Sequence, residues 1–196
     1  MAVKRALDLA VAAILLVLLS PLLLLIALAV RLDSPGPALY VSERIGKGGR
    51  PFSLFKFRSM VAGAEQMGRG LEVERGDARI TRMGSILRRT SLDELPQLIN
   101  ILKGEMSVVG PRPTVRSQVE RYTEHQRRRL EAVPGVTGWA QVQGRNEMPW
   151  PQRIELDVWY VDHWSLGLDL AILARTIPMV LGSRGVYAGD GATHDL

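Results

Sequence analysis

Hydrophobic and polar positions are distributed unevenly along the chain. From Leu9 to Val30 no charged residue occurs, with Lys4, Arg5 and Asp8 before the stretch and Arg31 after it. A straight helix of that length reaches ~30 Å, enough to cross a bilayer core. Ser20-Pro21 stands at its middle, and proline deletes a backbone hydrogen bond while pushing its predecessor away from helical angles. The expectation is a sharp bend: two half-length arms enter and leave one leaflet, and the basic groups at both ends rest on one headgroup surface. A kinked spanning helix, a signal peptide and a buried core helix are the alternatives. The apolar run exceeds the ~7–15 residues usual in signal peptides, which counts against that reading.

Asp33-Ser34-Pro35-Gly36-Pro37 is turn chemistry and marks a hinge, after which polar residues return. Leu39 to Arg44 and Phe52 to Phe57 read as strands joined by Gly46-Lys47-Gly48-Gly49-Arg50, a β-hairpin. The glycine cluster lacks phosphate-loop spacing and is read as a turn. From Ala62 onward the pattern is mostly helical. Leu95, Leu98, Ile99 and Leu102 fit one helix face; Val115, Val119, Tyr122 and Leu130 fit another. The second helix carries Arg127-Arg128-Arg129, either a solvated face or a contact with anionic lipid. Leu166 to Leu181 is apolar around much of its circumference, with Asp169 and Arg175 its only charges, and reads as an interfacial or a buried helix. The pattern therefore predicts an α+β, mainly helical chain. An apolar anchor, re-entrant in the first of the readings above, occupies residues 1–32 and a water-compatible domain occupies 33–196, with a small hairpin and amphipathic helices that are interfacial or buried.

Composition narrows the chemistry. With 196 residues the chain holds one compact domain and an appendage. It has no cysteine, which removes thiol nucleophiles, Cys-ligated zinc and disulfides. His125, His163 and His194 lack metal-ligand spacing. Lys plus Arg number 25 against 20 Asp plus Glu, a net charge of +5, so the natural partners are anions: phosphorylated ligands, acidic lipid or nucleic acid.

Carboxylates remain as candidate chemistry, and Asp93-Glu94 stands out, with Arg88-Arg89 before it and Arg112 set between two prolines downstream. Ser91-x-x-Glu94 before an apolar run also matches a helix capping box. Pro96 argues against Ser91 as N-cap and favours a helix start near Asp93, which would place both acids at a helix N-terminus. Beside a phosphate, an ionised carboxylate can ligate Mg²⁺ or attack phosphorus. Either use needs cations nearby, and arginine pairs with two phosphoryl oxygens at once.

Longer motifs surround this pair. Asp77-x-Arg79-Ile80-Thr81-x-x-Gly84, Arg88-x-x-Ser91-Leu92-Asp93-Glu94-Leu95-Pro96-Gln97, Asn100-x-Leu102-x-Gly104-x-Met106-Ser107 and Val109-Gly110-Pro111-Arg112-Pro113 occur in order. With them the chain resembles the bacterial sugar transferase family, the monotopic polyprenyl-phosphate phosphoglycosyl transferases. The resemblance runs nearly end to end. It includes Lys56-Phe57-Arg58-Ser59-Met60, Pro134-Gly135-Val136-Thr137-Gly138, Gln143-Gly144-Arg145-Asn146, Asp157, Tyr160 and Asp169. Ser42 departs from it, standing where the family carries a glutamine two places before Arg44. The chain resembles the family's minimal catalytic form, without the further membrane helices of longer relatives.

The resemblance implies a reaction. Asp93 attacks the sugar-bearing phosphate of a UDP-sugar, UMP leaves, and polyprenyl (undecaprenyl) phosphate takes the phosphosugar from Asp93, the first membrane step of a surface glycan. Asp93 and Glu94 are the implied catalytic and Mg²⁺-binding residues, and Glu94 is also implied as a proton acceptor in the second step. Arg88 and Arg112 are implied as phosphate binders. Lys56, Arg58 and Arg145 are further candidates for the nucleotide or sugar, and Ser20 and Pro21 form the implied break in the anchor. The implied place is the cytoplasmic face of the bacterial inner membrane, with the lipid bilayer as partner and a homodimer left open. Two other readings stay in play: a membrane-attached Mg²⁺-dependent pyrophosphatase or phosphodiesterase using the same acids, and a basic membrane adaptor without enzymatic activity. The few aromatics offer no stacking platform, so nucleic acid is not expected as a partner. Which sugar is carried is not legible in the sequence.

Overall fold

The computed structural model describes residues 2–67, 76–144 and 148–182 of the chain. Helix α1 (Ala2–Asp33) takes up the charge-free stretch and continues through Pro21. Pro21 has no N–H for the Val17 carbonyl four residues back. Ser20 supplies a substitute, its Oγ donating to Val17 O at 2.8 Å. The helix is therefore not interrupted at Ser20-Pro21, contrary to the expected break, because the orphaned carbonyl finds a local partner.

One stripe of α1 faces the rest of the molecule. Asp8, Ala12, Ile26 and Val30 are buried, while Ile14, Val17, Leu18, Leu24, Leu25 and Leu28 are each more than half exposed. Ala12 packs with Leu54, Leu98, Ile101 and Met106, and Ile26 and Val30 pack with Phe57 and Leu87. Polar bonds pin the N-terminal end. Lys4 Nζ lies 2.6 Å from Asp169 Oδ2, and Asp8 accepts from Ser107 Oγ at 2.8 Å and from the Val108 N–H at 3.0 Å. Both halves of the helix thus rest on one body.

Strands β1 (Leu39–Ile45) and β2 (Pro51–Phe57) form the expected antiparallel hairpin, with Leu39 opposite Phe57 and Ile45 opposite Pro51. Its turn needs left-handed angles at Gly48 and Gly49 (φ 65° and 75°), which glycine adopts without steric cost. Helices α2 (Arg82–Thr90) and α3 (Gln97–Lys103) follow. Then β3 (Ser107–Val109) pairs in parallel with β4 (Gly135–Thr137). Three-residue strands are too short to leave an alternation, which is why this pair has no signature in the sequence.

The helix expected across Val115 to Leu130 is divided into α4 (Arg116–Val119), α5 (Glu124–Arg127) and a 3-10 turn at Arg128–Glu131. Thr123 restarts the helix through a capping box with Gln126. The predicted apolar positions still converge: Val119 and Tyr122 share a core with Ile45, Trp150, Ile154 and Val158, with Leu130 packed against it. Helices α6 (Trp139–Gln143), α7 (Trp150–Asp162) and α8 (Leu166–Leu181) complete the described fold. It is mainly helical with a small hairpin and a long apolar N-terminal helix.

Gly84 fixes how α2 sits. A Cβ there would lie 1.9 Å from the Ser59 carbonyl oxygen, and the other near atoms are also Ser59 backbone. This close approach, one turn before Arg88, lets Arg88 Nε donate to Ser59 Oγ at 2.8 Å. We expect Gly84→Ala to destabilise the fold by roughly 1–3 kcal/mol or more, as overpacking does, and to displace Arg88. Thermal unfolding of the variant checks the first effect; activity relative to folded protein checks the second.

Candidate active site

The hairpin, α2 and the turn before α3 wall one side of a cleft of about 830 Å³, and α6 and α7 close the other. The turn is made by a reversal. Helix α2 ends at Ser91, the one non-glycine residue with positive φ among the described residues (58°). Leu92–Glu94 then form a 3-10 turn and Pro96 precedes the first turn of α3. Ser91 makes no side-chain cap bond, so the capping-box pattern is not used. Asp93 and Glu94 sit in the 3-10 turn ahead of α3, which begins at Gln97, so the expected helix start near Asp93 falls a turn later.

The two acids are held differently. Glu94 Oε1 receives Lys56 Nζ at 2.9 Å and Arg112 Nη2 at 2.8 Å. Burial alone would raise the Glu94 carboxyl, but Arg112 and Lys56 outweigh it and hold the group well below the ordinary carboxylate range. Asp93 is 9% exposed. Burial pushes its carboxyl above the usual range against the pull of Lys56, and the neighbouring Glu94 charge adds to the rise. Arg88 and Arg112 act on Asp93 through their charge, both favouring the ionised form.

Lys56, Arg58, Arg88, Asp93, Glu94 and Arg112 therefore line one cleft. Arg58 has a different task. Its guanidinium donates to the carbonyls of Val30, Ser34, Pro35 and Pro37 and to Ser34 Oγ, at 2.7 to 3.2 Å. With its donors occupied it ties the end of α1 to the hinge, and it lacks the spare N–H groups a phosphate would need. Arg145 and Asn146 lie outside the described residues.

Several cleft residues carry no motif signal strong enough to find them from sequence. Arg44, Gln141, Trp150 and Arg153 all line the cavity. Burial depresses the Arg153 guanidinium to about 10, with the Arg112 charge acting in the same direction. Arg129 corrects the reading of the arginine run as a solvated or lipid-facing surface. Its side chain is 1% exposed and pairs with Asp157 Oδ2 at 2.5 Å, with the Tyr122 and Trp150 rings beside it. Only its place in a run of three had suggested a surface role.

Sequence comparison places this arrangement. The bacterial sugar transferase family matches residues 1–183. The chain belongs to the bacterial sugar transferase family. It is 46% identical over 193 residues to the "Uncharacterized sugar transferase EpsL" of Bacillus subtilis (strain 168), covering 98% of this chain and 94% of that one. It is 45% identical to the UDP-glucose:undecaprenyl-phosphate glucose-1-phosphate transferase of Caulobacter vibrioides, over 94% of this chain and 72% of the relative. The undecaprenyl-phosphate galactose phosphotransferase of Salmonella typhimurium is 41% identical over 94% of this chain, which spans 41% of that protein. In this sugar transferase Lys56, which bonds Glu94, lies near the end of β2, two residues before the Arg58 hinge clamp.

Proposed function

We propose that the protein transfers a phosphosugar from a UDP-sugar to polyprenyl phosphate through a covalent intermediate on Asp93. The observation that carries this reading is the pairing of two unlike carboxylates. One is buried with no positive group bonded to it, and its neighbour anchors Lys56 and Arg112 at 2.9 and 2.8 Å. An Asp93 oxygen attacks the sugar-bearing phosphorus. The bond from that phosphorus to the bridging oxygen breaks, and UMP leaves with the electron pair. A phosphate oxygen of the polyprenyl carrier then attacks the same phosphorus and Asp93 departs as the carboxylate, leaving a polyprenyl-diphosphate sugar.

Lys56, Arg88 and Arg112 supply the positive charge that lets a carboxylate approach a diphosphate, an electrostatic contribution made before the reaction begins. When phosphoryl oxygens draw Lys56 and Arg112 toward the substrate, Glu94 loses the partners that keep it a weak base and becomes able to accept a proton. Among the described residues no three His, Asp or Glu side chains gather as a metal cluster. Two carboxylates nevertheless suit Mg²⁺, which takes one or two from protein and completes its shell with water and substrate phosphates. Asp93 and the free oxygen of Glu94 would hold the ion, which would neutralise charge on the diphosphate.

The anchor fits a substrate pair of which one is soluble and one is lipid-borne. Both halves of α1 rest on the catalytic body, and its exposed face is leucine-rich. That supports an anchor held in one leaflet, with the cleft beside it on the cytoplasmic side.

Incubation with Mg²⁺ and a panel of UDP-sugars, without lipid acceptor, should give one equivalent of UMP and a phosphosugar adduct on Asp93 by mass spectrometry. Continuous UMP and sugar-phosphate release without acceptor would instead identify a hydrolase. Arg112→Ala should slow adduct formation about 10²- to 10³-fold, the usual cost of losing one positioned charge-stabilising donor, in a single-turnover UMP assay.

A further inference from the structure

One end of the cleft carries polar groups that neither half-reaction uses. Gln141 sits in the middle of α6 and is 8% exposed, Trp150 opens α7 at 7%, and Asp157 lies two turns along α7 at 1%. Both amide atoms of Gln141, the Trp150 Nε1 and the Asp157 Oδ1 are buried without a hydrogen-bond partner. Buried polar atoms are almost always paired, so four such atoms on three residues lining one cavity mark a place where a ligand supplies the missing partners.

The chemistry of these atoms selects the ligand. They comprise two donors, Gln141 Nε2 and Trp150 Nε1, and two acceptors, Gln141 Oε1 and Asp157 Oδ1. A pyrimidine imide edge presents carbonyl, N–H and carbonyl in a row and calls for donor, acceptor and donor. Gln141 and Trp150 hold that set, which leaves the Asp157 oxygen to accept from a ribose hydroxyl. A hexose would most naturally stack on the tryptophan face. That ring is already covered by the guanidinium groups of Arg129 at 5.2 Å and Arg153 at 5.6 Å, so Trp150 has its edge to offer. Cations also run this way, since Arg112 and Arg153 line the same cleft, which gives the second phosphate a path away from Asp93.

We infer that Gln141, Trp150 and Asp157 form the subsite for the uracil and ribose of the nucleotide donor, with the sugar directed toward the hairpin side of the cleft. The inference rests on the transferase reading above and adds the direction in which the donor lies. Binding of UMP and CMP to the full chain in nanodiscs tests it, in the parent, Gln141→Leu and Trp150→Phe. The parent should prefer UMP. Gln141→Leu should weaken UMP about 10- to 100-fold and erase the preference. Trp150→Phe keeps a ring beside the arginines and should weaken UMP by a smaller factor, so it decides the matter if the glutamine variant does not fold. The relative rates with different UDP-sugars should be the same in parent and variants. Unchanged UMP affinity in a folded variant, or a change in sugar preference with UMP binding intact, would overturn the subsite. A parent that neither binds UMP nor releases it from any UDP-sugar would instead overturn the transferase reading itself.

Discussion

Asp93→Asn should abolish adduct formation and UMP release, a loss on the order of 10⁴-fold or more, as removal of a nucleophile costs. It should do so without harming the fold. Burial raises the Asp93 carboxyl, so between the ordinary aspartate range and the raised value the folded protein binds more protons than the unfolded chain. Stability falls as pH rises through that window. The asparagine variant has no charge to bury, so its melting temperature at neutral pH should exceed the parent's, and the gap should close as pH drops below the ordinary carboxylate range. In the parent, the single-turnover rate of UMP release should climb with pH through the raised value and then level off, because the attacking group is the ionised carboxylate. An active asparagine variant would remove Asp93 from the mechanism; an inactive but less stable one would show that its carboxylate supports the fold.

Asp157→Asn should have the largest effect on stability, about 3–5 kcal/mol, the cost of breaking a buried ion pair. At roughly 2–4 °C per kcal/mol for a chain of this size, the melting temperature should fall by about 6–20 °C. The Arg129 and Asp157 side chains are 1% and 2% exposed, and a guanidinium cannot shed its proton to escape an apolar setting. Arg129 also donates to the Arg112 carbonyl at 3.0 Å, so its displacement reaches the active site. Replacing both charges, as Arg129→Met with Asp157→Leu, should restore much of the lost stability. A double variant as unstable as the sum of the singles would mean that the pair is not a coupled unit.

The long apolar N-terminal helix, the hairpin and the C-terminal apolar helix were legible because each follows one pattern over a length sufficient to read. The hairpin appears within a residue of its expected ends, and α8 has the expected bounds. The parallel β3 and β4 pair was not legible, since register between distant three-residue segments leaves no local trace. The acids and their flanking arginines could be found because a carboxylate pair among arginines is chemically conspicuous. The burial of Arg129 and the structural bonds of Arg58 were not legible for one reason: sequence shows that an arginine is present but not which carbonyls or carboxylates surround it. Gln141 and Trp150 are ordinary residues whose meaning lies in what they fail to bond.

Arg58 has a geometric consequence. It fastens the end of α1 to the strand that carries Lys56, while Phe57 between them packs against Ile26 and Val30. Lys56, the cleft lysine, therefore rides at a fixed height above the apolar face of α1. On the proposed reaction this makes the fold a depth gauge, which would set Asp93 at one level relative to the lipid and admit acceptors whose phosphate lies at that level.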